Sequence, residues 1–517
     1  MRQINRIFTA ATLFTVVLAG AAAETVDLEA VHRIRAEAFE NSQVADHVFQ
    51  LTDVNGPRIT NSPGYDAAAA WCQRRMKEIG LVNVAAEAFE FGKGWSYSRF
   101  SIHLVEPAVA VLNGFPLAWT PGTNGPLTAE PVLAVIEKEE DIEKFKGKLK
   151  GKIVLLDKPR EITLSTEPLG RRYSEQDLTD RALAEAPRPK PEKDPDEDRE
   201  KRTEFRKKLL QFLTDEGAAA VLRISYKGEA GLVAGTSGGS HKTDWPVPPP
   251  MAALSAEHYN RIVRLLKKEI PVKIEIDIAA RFHEDNLEAE NVIGEIRGAS
   301  KPNEVVMLGG HLDSWHAATG AVDNAAGVAI AIEAARILKK LNLPLARTVR
   351  AALWAGEEQG LLGSRAYVTR HFADRDDMKL KPEHAGLQAY FNFDNGSGKI
   401  RGIYLQGNDM LRPIFAAWLE PFHDLGATTV TIRNTSSTDH VPFDQAGLPG
   451  FQFIQEPLEY SPRTHHSNAD VYDHVIESDL MQASAVMASL VYHAANRDEM
   501  LPRKPLPEAK KTGKKKQ

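Results

Sequence analysis

Five short segments of this chain combine side chains able to hold a metal ion with the apolar runs or polar loops that could present them. Residues 309–315, Gly-Gly-His-Leu-Asp-Ser-Trp, offer His311 and, two places on, Asp313, a carboxylate able to orient a ligating imidazole. Residues 320–327 contain Asp323, which on its own would read as a helix N-cap. Residues 353–360 set Glu357 and Glu358 side by side after an apolar run. Adjacent carboxylates repel in an apolar setting, and a cation removes the difficulty. If one of them binds metal, the other stands close enough to take a proton from water, the pairing that hydrolysis requires. Residues 390–396 end a strand-like run in Asp394, and residues 463–470 contain His465 and His466. Each segment alone reads equally well as a polar loop or a structural ion network. Together, two His and three carboxylates with a spare Glu exceed the needs of one tetrahedral zinc. They suit two zinc ions sharing a carboxylate, each keeping a position open for water or substrate.

Strands and helices must carry these segments. From residue 291 the chain alternates strand-like runs (292–297, 305–308, 347–355) with a helical one (322–340). That alternation predicts an α/β fold with a mixed, mostly parallel central sheet and helices on both faces. Active residues of such sheets gather at strand ends, where these clusters fall. Upstream, residues 26–80 read as helices broken at Asn55-Gly56-Pro57 and Ser62-Pro63-Gly64, and 81–91 read as a strand. Residues 130–157 and 209–222 supply further short buried strands, a Gly turn and a helix. Between them, 161–208 is dense in charge and Pro, a composition expected of a solvated insertion.

The whole chain has 517 residues, 43% of them hydrophobic, and a formal charge of −6. It can bury a large core in more than one domain, and it lacks the basic balance of a nucleic-acid binder. Arg2 and Arg6 precede an apolar run over 7–19 that ends in Gly20-Ala21-Ala22-Ala23. This predicts a cleaved signal peptide over 1–23 and a mature chain that is secreted or periplasmic. The run is too short for a membrane span. The single Cys72 excludes an internal disulfide. Residues 501–517 form a basic tail expected to be frayed.

The order of the five segments resembles the dinuclear zinc exopeptidases, a group that includes bacterial leucyl aminopeptidases, glutamate carboxypeptidase and carboxypeptidase Q. Residues 291–298 (Asn-Val-Ile-Gly-Glu-Ile-Arg-Gly) and 309–315 point to the carboxypeptidase Q branch. The resemblance implies that His311 and Asp394 hold one zinc, Glu358 and His466 the other, and Asp323 bridges them. It makes Glu357 the general base and then acid, and Asp313 the carboxylate behind His311. His466 is taken over His465 because the family's ligand His stands four places before an acidic residue, here Asp470. His465 occupies the place where several relatives carry an oxyanion-stabilising Tyr. A non-proline cis peptide is implied after Asp323. The resemblance also places a β-rich protease-associated domain over 124–262, with its charged stretch at 161–208, inside a peptidase unit made of 24–123 and 263–500.

The function implied is hydrolysis of terminal peptide bonds of peptides, with an aminopeptidase slightly favoured over a carboxypeptidase or dipeptidase on family frequency. Arg463 is a candidate clamp for a substrate carboxylate, and Asp439 a candidate holder of an ammonium. Surface salt bridges are an equal reading of both. The competing functions are a glutaminyl cyclase-like single-zinc transferase and a non-catalytic, receptor-like binding protein. Oligomeric state is not legible.

Overall fold

The computed structural model describes residues 24–187, 195–227 and 230–509, so the expected signal peptide lies outside the described residues, as do residues 510–517 of the basic tail. The start of that tail is docked rather than frayed: Leu501 is buried and Lys504 donates to the Gln406 carbonyl at 2.7 Å. Eight strands build the largest sheet: β1 (Val82–Glu90), β2 (Glu288–Ile296), β3 (Lys301–His311), β4 (Arg347–Trp354), β5 (Leu387–Asn392), β6 (Ile400–Tyr404), β7 (Thr429–Thr431) and β8 (Gly450–Gln455). Their order is β1-β2-β4-β3-β5-β8-β6-β7. β3 runs parallel to both β4 and β5, and β5 parallel to β8, while β1, β2 and β4 pair antiparallel. The three strands whose ends bear predicted site residues therefore point the same way.

The near-continuous apolar sequences of β3 to β5 follow from burial on both faces. Side chains alternate along a strand. Val306 and Leu308 of β3, Ala351 and Leu353 of β4, and Ala389 and Phe391 of β5 enter one core. Met307, Ala352, Trp354 and Tyr390 enter another. The first core is closed by the buried helices Ala326–Lys340 and Glu477–Asn496, and the second by residues of Leu362–His371 such as Tyr367 and Val368. This is the two-sided α/β arrangement expected from the alternating sequence. Among the described residues no helix is long and apolar enough to cross a membrane.

Between β1 and β2 the chain makes a long excursion from the main sheet. Gly94–Glu106 pairs antiparallel with Lys273–His283 in a four-stranded sheet, and five short strands between Gly114 and Leu254 form a third sheet. The excursion thus extends on both sides of residues 124–262. Within it, the charge-dense stretch behaves differently from a freely solvated insertion. Residues 170–182 dock across the main sheet's far edge: Arg172 pairs with Asp479 at 2.8 Å, the Tyr173 amide donates to Glu456 at 2.7 Å, and the Arg171 amide donates to the Leu458 carbonyl at 3.1 Å. Further on, Pro195–Asp215 is one 21-residue helix. Its apolar end buries Leu209, Leu210 and Leu213 in the excursion's core.

Candidate metal centre

β3 delivers His311 at its C-terminal end, the turn after β4 delivers Glu357 and Glu358, and the residue pair after β5 ends in Asp394. The two glycines before His311 are required by close approach. A Cβ on Gly309 would strike the Ala352 carbonyl of β4, and one on Gly310 would meet the Phe393 carbonyl at 2.8 Å and Asn324 Nδ2 at 2.9 Å. Asp323 sits in an irregular turn before the buried helix Ala326–Lys340, and the Asp323-Asn324 peptide is cis, as the resemblance implied.

These side chains converge. His311 Nε2 lies 3.2 Å from Asp323 Oδ1 and 3.6 Å from Asp394 Oδ1. His466 Nε2 lies 2.9 Å from Glu358 Oε2 and 3.4 Å from Asp323 Oδ2. One oxygen of Asp323 therefore faces each pair. Glu357 Oε2 stands 4.0 Å from His311 Nε2, outside both pairs and beside them. Candidate ligand atoms of His311, Asp323 and Asp394 all fall within 4.8 Å of one another, and so do those of Asp323, His465 and His466.

The donor set fits a divalent cation on two observations. His311 Nε2 and Glu358 Oε1 are buried without a hydrogen-bond partner, although both belong to the cluster. The titration of the group is also unbalanced without added charge. Burial, with Asp394, Asp439 and Glu358 close by, holds the Glu357 carboxyl well above the usual range despite His311. Burial and Asp323 push Glu358 up to about 7 against the pull of His466. Burial lowers both metal-site rings, but the carboxylates overcome it: Glu357 and Asp394 hold His311 well above its ordinary value, and Glu358 and Asp323 bring His466 up to about 9. Divalent cations would favour the neutral imidazoles and ionised carboxylates in which such groups ligate metal.

The supporting residues are only partly those the sequence named. The Asp313 carboxylate is 3.6 Å from His311 Nδ1, whereas its backbone carbonyl, at 3.0 Å, takes the ring's hydrogen bond. The carboxylate itself accepts the Glu357 and Glu358 amides, each at 3.2 Å, and so fixes the acidic turn. Asp470 accepts the amides of Val322 at 2.6 Å and Asp323 at 3.2 Å, which orients the shared carboxylate. Arg58 is fully buried and donates to four backbone carbonyls, three of them in the loop that follows β3. The sequence reading took none of these three contacts into account.

The loop bearing His466 is gripped by the excursion. The Gly235 amide donates to the His466 carbonyl at 2.8 Å, Val233 and Asn468 exchange two hydrogen bonds, and the Tyr226 hydroxyl is 3.2 Å from His466 Nδ1. His466 itself adopts a φ of 59°, an uncommon conformation for a non-glycine residue.

A cavity of about 580 Å³ opens over the cluster. His465 lines it, stacked on His466 with ring centroids 3.7 Å apart, and burial lowers its pKa to about 4. Tyr460 lines it too, its hydroxyl 3.4 Å from Asp323 Oδ2. Its only signal in the sequence is proximity to His466. The other two proposed substrate contacts are elsewhere. Asp439 is fully buried, bonded to Ser364 behind the cluster, with its carboxyl pushed up to about 7 by burial. Arg463 faces Glu459 at 3.4 Å and is not part of the cavity wall.

Residues 291–491, which hold every candidate ligand, match the model of peptidase family M28. The chain is similar to carboxypeptidase Q of Mus musculus, with 26% identity over 454 residues, covering 88% of this chain and 86% of that one. A shorter likeness, 28% identity over 222 residues, joins it to aminopeptidase YwaD of Bacillus subtilis, covering 41% of this chain and 46% of the relative. The fold matches the solved peptidase M28 precursor from Shewanella amazonensis at a TM-score of 0.66 and 23% identity, covering 92% of this chain and 98% of the other. It also matches BSAP, a zinc aminopeptidase from Bacillus subtilis, at a TM-score of 0.55 and 20% identity, covering 89% and 96%.

Proposed function

We propose that the chain is an exported exopeptidase that hydrolyses terminal peptide bonds at a pair of zinc ions. His311 and Asp394 would hold one ion and Glu358 and His466 the other, with Asp323 facing both pairs. The observation that carries the reading is the Asp323 carboxylate set between two ligand pairs, with a further buried carboxylate, Glu357, immediately beside them. When bound, the two ions would supply Lewis-acid polarisation of the scissile carbonyl and acidify a water molecule.

The chain's own residues do the rest. Glu357 accepts the proton of the attacking water and passes it to the departing amine, the same carboxyl acting as base and then acid. Its position on a turn whose two amides are fixed by Asp313 limits its freedom to the short path between water and leaving group. Tyr460 donates from the cavity wall to the carbonyl oxygen as negative charge develops there. His465, neutral above about pH 4, packs against His466 and restricts its ring.

The test combines zinc counting with peptide hydrolysis before and after chelation. Two ions per chain and chelator-sensitive hydrolysis support the reading. One ion with cyclisation of N-terminal glutamine would favour the transferase, and peptide binding without turnover would favour a receptor. Glu357→Gln should retain its zinc and lose about 10²–10⁴-fold in kcat. Wild-type turnover in that variant would remove Glu357 from the mechanism.

A further inference from the structure

The charge inventory of the cavity is one-sided once its acids are assigned. The acidic residues in its wall are Asp323, Glu357, Glu358 and Asp394, all already committed to metal or to proton transfer in the reading above. Two divalent cations would balance these four carboxylates, so no acidic group in the wall is left to hold a substrate's ammonium.

Two cations remain. Arg365 lies in the helix Leu362–His371, directly after the acidic turn, and Arg199 comes from the helix Pro195–Asp215 of the excursion. Both are exposed at the cavity, and among the described residues neither forms an ion pair with a carboxylate. Arg365 ties only its Nε to the Gly360 carbonyl, at 3.2 Å, which leaves the fork of its guanidinium free. Burial and the like charge of Arg199 pull the Arg365 guanidinium below its ordinary value, against the opposing pull of the buried Asp439 carboxylate. Unpaired guanidinium groups near one another, over a cavity where a peptide must sit, match a planar carboxylate in charge and in hydrogen-bond geometry.

We infer that Arg199 and Arg365 receive the free α-carboxylate of the peptide substrate, so that trimming proceeds from the carboxyl end or acts on dipeptides. The inference rests on the exopeptidase reading for the location of the scissile bond. It also assigns work to the charged stretch of the excursion, whose helix carries one of the two groups to a site built on the main sheet. Arg463, the clamp suggested by sequence position, has its own partner in Glu459 and is not needed for this role.

Calorimetry on the zinc-loaded full chain tests the inference without relying on turnover. The probe is a dipeptide whose scissile amide is replaced by a methyleneamine, used as the free acid and as the C-terminal amide. A third probe is an amide that ends in Glu. The free acid should bind at least about tenfold more tightly than the plain amide, the scale of losing charge-assisted hydrogen bonds. Arg199→Gln and Arg365→Gln should each shrink that preference, and the double variant should abolish it. Equal binding of acid and amide by the wild type, absence of binding by any probe, or a preference that survives both substitutions would overturn the inference. So would binding of the Glu-ended amide as tight as that of the free acid, because the arginines would then read a side chain instead. If the acid preference holds while natural peptides are bound but not cleaved, the hydrolytic reading fails and the carboxylate site stands.

Discussion

Replacing Arg58 with Met removes a buried cation that ties the N-terminal helices to the loop between β3 and Asp323. Its side chain donates to the carbonyls of Leu51 and Thr319, both at 2.7 Å, Leu312 at 2.8 Å and Gly320 at 2.9 Å. Gly320 also receives the Ala325 amide at 3.0 Å, and Leu51 lies within a helical segment. The Leu312 and Thr319 carbonyls take no other donor among the described residues. Met carries neither the guanidinium charge nor its desolvation cost, so the lasting penalty is two carbonyls buried without partners. At about 1–3 kcal/mol for each such group, the loss is about 2–6 kcal/mol, against a typical domain stability of about 5–15 kcal/mol. Urea unfolding of metal-stripped protein, followed by tryptophan fluorescence, measures it free of any change in zinc affinity. The same loop carries Asp313, which holds the amides of Glu357 and Glu358, so zinc occupancy at limiting metal should fall in parallel. A stability change under about 1 kcal/mol with unchanged zinc occupancy would refute the claim that one buried arginine organises this loop.

Asp470→Ala should lower zinc affinity about 10–100-fold while preserving the fold, because it frees the turn that aims Asp323; equilibrium dialysis against buffered zinc reads this directly. Tyr460→Phe should reduce kcat about 10²–10³-fold with little effect on KM, the scale of losing one oxyanion donor. A rise in KM at constant kcat would instead make Tyr460 a binding residue. Acid should weaken the fold through two buried rings: burial lowers His47 to about 3 and His316 to about 4. Both take up a proton near pH 6.5 when unfolded but not when folded, so their contribution is complete above that pH and declines as the pH falls. The decline amounts to about 3 kcal/mol per ring by pH 4, and His47→Gln should flatten the pH dependence of urea unfolding between 6.5 and 4.

The core of the candidate site was legible because parallel strands deliver their ligands at predictable places. His311 ends β3, Glu357 and Glu358 follow β4, and Asp394 follows β5 in sequence as in space. Residues that act through long-range contacts left no such mark. Arg58 reads as a surface charge until four carbonyls are seen around it, and Tyr226 lies in a segment far from His466 along the chain. The charge pattern of residues 195–208 suggested solvation, and its exposed face is indeed charged, but pattern alone could not reveal that the same helix is anchored by leucines further along and leans over the cavity. Asp439 shows the opposite error: its loop position suggested a surface contact, whereas the backbone turns it inward to Ser364.

The clasp between residues 226–235 and the loop of His466 makes the metal centre a seam between two parts of the chain that fold around different sheets. All five candidate ligands belong to the main sheet and its connections, but the loop of His466 is also held by the excursion. A transplant of the main sheet alone would carry all five side chains but leave the His466 loop untethered, and zinc loading would double as a gauge of whether the two parts have come together.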